Sequence, residues 1–158
     1  MNKKHIVIII SILLVLGIIL FFIIHLNNKK VYLSDKYYNE GSYIPIKSEE
    51  LDNLKNDTYL LFVYNDYCSF EIPCDQVFKV FMDKYKIDIY SMKYVEFKKT
   101  KFYGKVIYAP SVILIKNDKI KAFLDADSKE HLNIYQDSSK FEEWIKKYIY
   151  FTKLDTKK

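Results

Sequence analysis

Residues 59–74 read Tyr59-Leu60-Leu61-Phe62-Val63-Tyr64-Asn65-Asp66-Tyr67-Cys68-Ser69-Phe70-Glu71-Ile72-Pro73-Cys74. The unbroken apolar run at 59–64, bounded by polar residues, predicts a strand buried on both faces. Pro73 suits the first turn of a helix, where its missing N–H costs no hydrogen bond. From there Cys74, Val77, Phe78, Phe81 and Tyr85 recur at helical spacing and predict a helix with one apolar face. The stretch is a core strand running into an amphipathic helix, and both cysteines of the chain lie at the join.

Working outward, Ser42 to Ile46 predicts a short edge strand, since Pro45 is tolerated only at an edge or strand end. Ser48 followed by Glu49 and Glu50 places acids against a helix dipole and predicts a brief helix over 49–55. Ile87 to Met92 predicts a second core strand, followed by a lysine-rich helical stretch over 96–103. Ala109 to Ile115, the dipeptide Asn117-Asp118 and Lys119 to Leu124 carry a hairpin signal. Residues 125–137 read as a polar connection. Ser139-Lys140-Phe141-Glu142 is a capping-box pattern opening a last helix, along which Phe141, Trp144, Ile145, Tyr148 and Ile149 keep helical spacing. The order β-α-β-α-β-α-β-β-α predicts an α/β domain, a mixed central sheet with helices on both faces.

In that order the chain resembles the thioredoxin family, from Ser42 to about Tyr150. Leu60 to Cys68 matches the family's central strand entering an aromatic-Cys active site, with Tyr67 where Trp is usual. Tyr108-Ala109-Pro110-Ser111 and the hairpin after it resemble the family's cis-proline strand. The resemblance implies that Cys68 is the nucleophilic cysteine and that the Ala109–Pro110 bond is cis and packs beside it. It also implies that Tyr67, Ala109 and Pro110 present the substrate. The cysteines depart from the family's C-x-x-C: Cys68 and Cys74 are spaced C-x5-C, and Glu71 takes the resolving position. Phe62 stands where the family keeps a buried acid.

The cysteine spacing leaves three readings open. In a continuous helix the two Cα atoms would lie roughly 10 Å apart, beyond the ~7 Å reach of a disulfide, so a bond requires a loop over 68–72 and a helix beginning at Pro73. Paired, they serve exchange chemistry or a structural staple. A loop this short gives a staple only about 2–2.5 kcal/mol. Alternatively, Cys74 is a buried helix cysteine among Val77, Phe78 and Phe81. Glu71 fits dipole complementation better than proton transfer. His5, His25 and His131 are scattered along the sequence and point to no metal site and no Cys-His nucleophile.

Ile6 to Ile24 carries no charge and, as a helix, spans about 28 Å, close to the hydrocarbon thickness of a bilayer. It is longer than a signal-peptide core, and no small-residue cleavage pattern follows, so an uncleaved signal anchor is expected over 6–26. Residues 1–5 are then a cytoplasmic tip, 27–41 a stalk, 42–151 the domain and 152–158 a polar tail. The stalk tyrosines suit a membrane interface. Lys3, Lys4 and the α-amino group outweigh Lys29 and Lys30 and favour the domain outside the cytoplasm, where disulfides persist. The net charge of +5 comes mostly from those four lysines. The near-neutral remainder excludes a nucleic-acid partner.

The expected function is thiol–disulfide exchange through Cys68 and Cys74 on protein or peptide disulfides. It needs no cofactor beyond these sulfurs, the lipid bilayer as support, and an electron partner in the membrane. The alternative is a redox-inert peptide-binding or export-accessory module of the same fold.

Overall fold

The computed structural model describes residues 12–18, 30–66 and 72–152. The chain divides after Lys30. In the first unit, residues 12–18 are helical and exposed. Among the described residues no helix is long and apolar enough to cross a membrane. The remainder of the expected 6–26 anchor, the 1–5 tip and residues 153–158 of the tail lie outside the described residues.

The second unit is built on a five-stranded sheet: β1 (Tyr43–Pro45), β2 (Thr58–Tyr64), β3 (Ile89–Lys93), β4 (Ser111–Lys116) and β5 (Lys119–Asp125), ordered β1-β3-β2-β4-β5. β1, β3 and β2 run parallel, and β4 and β5 add antiparallel. β2 is central, with Leu60, Leu61 and Val63 fully buried, as its unbroken apolar run predicts. Pro45 sits on the edge strand, where it interrupts no ladder between two neighbours. Asn117 and Asp118 both take positive φ, the two-residue turn whose twist matches a hairpin.

The helices are α1 (Cys74–Tyr85), α2 (Tyr94–Phe97), α3 (Lys129–Leu132) and α4 (Ser138–Ile145), with 3-10 turns η1 (Asp35–Tyr37), η2 (Ser48–Leu54) and η3 (Asn133–Gln136). α1 and α4 meet through Phe78 and Phe81 against Phe141, with ring centroids 4.4 and 5.3 Å apart. Phe62 of β2 meets Phe78 edge-on from the sheet. Tyr37, Tyr59 and Tyr90 form a second aromatic cluster.

Several local expectations are corrected. Residues 31–41 are not a stalk: Val31, Leu33 and Tyr37 are buried, and Val31 bridges Ile149 while Tyr38 bridges Ile87. Val31, Tyr32, Tyr37 and Tyr38 each find a partner distant in sequence, which a local reading does not see. Ser48 does not cap η2: the Lys47 N–H donates to Glu50 Oε2 (2.7 Å), and the Ser48 hydroxyl donates to Glu96 (3.0 Å). The 96–103 helix is replaced by α2 and a run of turns. Thr100 Oγ donates to the Phe97 carbonyl and accepts from the Phe102 N–H, giving the backbone a local alternative to the helix. The 125–137 connection contains α3, η3 and the fully buried Tyr135. The last helix is capped not at Ser139 but at Asp137, whose Oδ1 accepts from the N–H groups of Ser139 (2.9 Å) and Lys140 (3.2 Å).

Candidate functional site

Pro73 takes an extended ψ of 128° as the N-cap of α1, so the helix begins at Cys74. Ile72 and Pro73 are therefore non-helical, the condition that a Cys68–Cys74 bond requires on its C-terminal side. The Gln76 and Val77 N–H groups donate to the Pro73 carbonyl. Cys74 is 2% exposed, on the same face as Val77, Phe78 and Phe81. Tyr67, Cys68 and Glu71 lie outside the described residues.

Cys74 opens onto a cavity of about 550 Å³. Tyr43, Phe62 and Tyr64 supply its aromatic lining, Asn65, Asp66 and Asp75 its polar lining, and Ser91, Pro73 and Pro110 complete it. Phe62 makes that wall apolar. The Tyr43 hydroxyl donates to the Asp75 carbonyl (2.9 Å) and joins the edge strand to the start of α1. Burial, with Asp75 and Cys74 nearby, pushes the Tyr43 phenol well above its ordinary pKa. At the mouth Lys93 pairs with Asp66 (3.0 Å), both largely exposed. Ile72, Ile107 and Tyr108, each more than 40% exposed, neighbour the lining prolines in sequence.

The Ala109–Pro110 peptide is cis, as the resemblance implies. Ala109 is half-buried against the core, and Pro110 reaches the cavity. The loop is held from behind: the Tyr135 hydroxyl lies 2.9 Å from the Pro110 carbonyl and 2.7 Å from the Leu124 carbonyl, and donates between them. Burial raises the Tyr135 pKa well above its usual range, so it remains a donor at any physiological pH. Ser111, fully buried, donates its hydroxyl to the Tyr108 carbonyl (2.7 Å).

Gln136 holds the other side. Its Nε2 donates to the Ile72 carbonyl (2.9 Å) and its Oε1 accepts from the Ile72 N–H (3.1 Å), a two-point clamp on the backbone entering α1. Sequence reasoning missed Tyr135 and Gln136. Both act on main-chain groups far away in sequence, which leaves no motif. The structure thus brings Cys74 and Pro110 to one cavity, with Ala109 adjoining Pro110. His131 takes a backbone role, its Nδ1 accepting from the Asp125 N–H (3.1 Å).

No family model matches the chain, and no curated protein sequence matches it. Solved thioredoxins are similar to it in structure. The reduced thioredoxin pre-protein of Schistosoma mansoni is 22% identical, with a TM-score of 0.46, covering 68% of this chain and 99% of its own. A thioredoxin of Entamoeba histolytica is 13% identical, with a TM-score of 0.45, covering 60% and 96%. Thioredoxin O2 of Arabidopsis thaliana is 18% identical, with a TM-score of 0.38, covering 61% and 94%. Three parallel strands continued by an antiparallel hairpin, with a cysteine at the first residue of the helix after the central strand, give this chain a thioredoxin-like α/β fold.

Proposed function

We propose that the protein is a membrane-anchored, extracytoplasmic thiol–disulfide exchange protein acting through Cys68 and Cys74. The observation that carries this reading is the shared cavity of Cys74 and Pro110, at the start of the helix that follows the central strand. Cys68 precedes that helix N-terminus in sequence, and a thiol beside a helix N-terminus is more readily a thiolate. The Cys68 thiolate attacks a client disulfide, forming a mixed disulfide and releasing one client thiolate, which takes up a proton. Cys74, once deprotonated, attacks Cys68 Sγ. The Cys68–Cys74 bond forms, the second client thiolate leaves, and two electrons have passed to the client. A partner that reduces the pair again completes the cycle. The exposed apolar Ile72, Ile107 and Tyr108 suit an extended, apolar client segment.

The same burial favours a second reading. Cys74 at 2% exposure lies within the core cluster, which fits a redox-inert peptide-binding module of this fold. Trapping separates the two. Cys74→Ser should retain mixed disulfides with clients through Cys68, and Cys68→Ser should retain none. Trapping by neither variant, with wild-type thiols inert to a disulfide reagent, leaves the binding module. The reduction potential of the pair then gives direction: about −270 mV marks a reductase, about −120 mV an oxidase, and below about −300 mV a structural bond.

A further inference from the structure

The aromatic wall of the cavity follows from the sheet register. Tyr43 pairs with Ile89, Phe62 with Ser91 and Tyr64 with Lys93, so the three rings stand on one face of the sheet. Ser91 lies on the strand between Tyr43 and Phe62, and its small side chain lets the two rings meet across it, 5.8 Å apart. Phe62 and Tyr64 continue the row at 5.7 Å, close to parallel. The charged part of the lining is acidic. Asp66 is paired with Lys93 at the mouth, whereas the Asp75 carboxylate makes no hydrogen bond or ion pair to any described residue. Its charge nevertheless acts on the buried Tyr43 phenol, which places it beside the rings. No lysine is among the described residues that line the cavity.

We propose that this cavity is a subsite for a cationic side chain, arginine or lysine, carried by the client polypeptide. The proposal deepens the function given above and rests on its placing of the client at this cavity. An apolar occupant would strip water from Asp75 and offer it no partner, and an anionic one would be repelled. A cationic side chain meets both halves of the lining. Its charge lies against the carboxylate, and its alkyl stem or guanidinium plane lies against the aromatic row. Arginine fits better than lysine, because its flat, weakly hydrated head stacks on rings. Cys74 and Pro110 border the same cavity, so the seated cation belongs to a residue close in sequence to the client cysteine. As the first-turn acid of α1, Asp75 also complements the helix dipole, a role that asparagine fills only in part.

The test titrates the full chain, in non-ionic detergent micelles, with three acetylated and amidated peptides followed by calorimetry. Each carries serine in place of the client cysteine, and they differ only at the neighbouring position: arginine, its neutral isostere citrulline, or glutamate. The arginine peptide should bind roughly fivefold more tightly than the citrulline peptide, and the glutamate peptide more weakly than either. Asp75 is exposed and holds Tyr43 through its backbone carbonyl, so Asp75→Asn keeps the fold and should bring arginine to the citrulline value. Asp83→Asn, the same change of charge in the last turn of α1, should leave the ratio as it is. Equal affinity for arginine and citrulline overturns the subsite, as does an arginine preference that Asp75→Asn does not reduce or that Asp83→Asn reduces as much. Failure of the arginine peptide to bind at about 1 mM overturns it too. The peptides hold no sulfur, so the result is independent of exchange: an intact ratio without trapped mixed disulfides supports the subsite and overturns the exchange chemistry alone.

Discussion

Asp57 shows how one side chain ties a distant segment to the core. Its carboxylate accepts from Tyr37 (3.1 Å) and Ser34 (3.3 Å) and pairs with Lys36 (2.6 Å). Ser34 in turn accepts from the Thr58 N–H (2.9 Å). Burial alone would raise the Asp57 pKa, but the hydrogen bonds from Lys36 and Tyr37 outweigh it and hold the carboxyl below its ordinary value. Because the folded pKa lies below the unfolded one, folding favours the deprotonated form. The resulting stability is present above the unfolded carboxylate value, about pH 4, and is lost as pH falls through the folded one. Asp57→Asn should therefore cost about 1 kcal/mol at pH 6–7 and progressively less in acid. Thermal melts of both proteins from pH 2 to 7 check this; a penalty that does not shrink in acid contradicts it. Gln136 acts on backbone as Asp57 does, but beside the cavity. Gln136→Ala should leave the melting temperature within a few degrees, yet raise hydrogen exchange at the Ile72 amide at least tenfold.

Among the elements, α1 is closed at its C-terminal end by a conformation its sequence does not advertise. Lys86 ends it in the left-handed region, φ 54°, with its N–H on the Met82 carbonyl. Lysine holds that conformation at a steric cost that glycine avoids, so Lys86→Gly should stabilise the protein by about 1 kcal/mol in urea titration. Gly41 is the opposite case. Its φ of 82° and a close approach to α1 mean that an added Cβ would collide with the Met82 carbonyl. Gly41 and Ser42 also donate to the buried Asp88, at 2.9 and 2.7 Å, so the loop has little freedom to move away. Gly41→Ala should cost about 2 kcal/mol or more in the same titration. Equal effects of the two substitutions would mean that backbone conformation is not what distinguishes the sites.

For the molecule as a whole, the decisive feature is that the domain begins at Val31 rather than at residue 42. The burial of Val31, Leu33 and Tyr37 and the Val31–Ile149 bridge make residues 31–41 part of the core. A chain lacking these residues, with the anchor joined directly to Ser42, should lose cooperative unfolding by circular dichroism; a true stalk would be removed without that loss. The orientation proposed for the anchor has its own test. Protease added to intact cells should remove residues 31–158 as a unit and leave an anchored stub, whereas protection of the full chain would place the domain inside.

Local pattern was enough for β2, α1, the Asn117-Asp118 hairpin and the Pro45 edge strand. In each, apolar periodicity or the restricted φ of one or two residues specifies the element with little help from elsewhere. The cis Ala109–Pro110 loop was likewise legible by family pattern. Only the tertiary structure decided that 31–41 is core, that Asp137 rather than Ser139 caps α4, and that Tyr135 and Gln136 brace the cavity. The physical reason is common to all of them. A buried apolar residue needs a partner surface, and a backbone carbonyl or N–H needs whichever donor or acceptor the fold brings near. For Val31 that partner is Ile149, and for Ile72 it is Gln136. Those partners lie 118 and 64 residues along the chain, and no local window of sequence contains both halves of either pair.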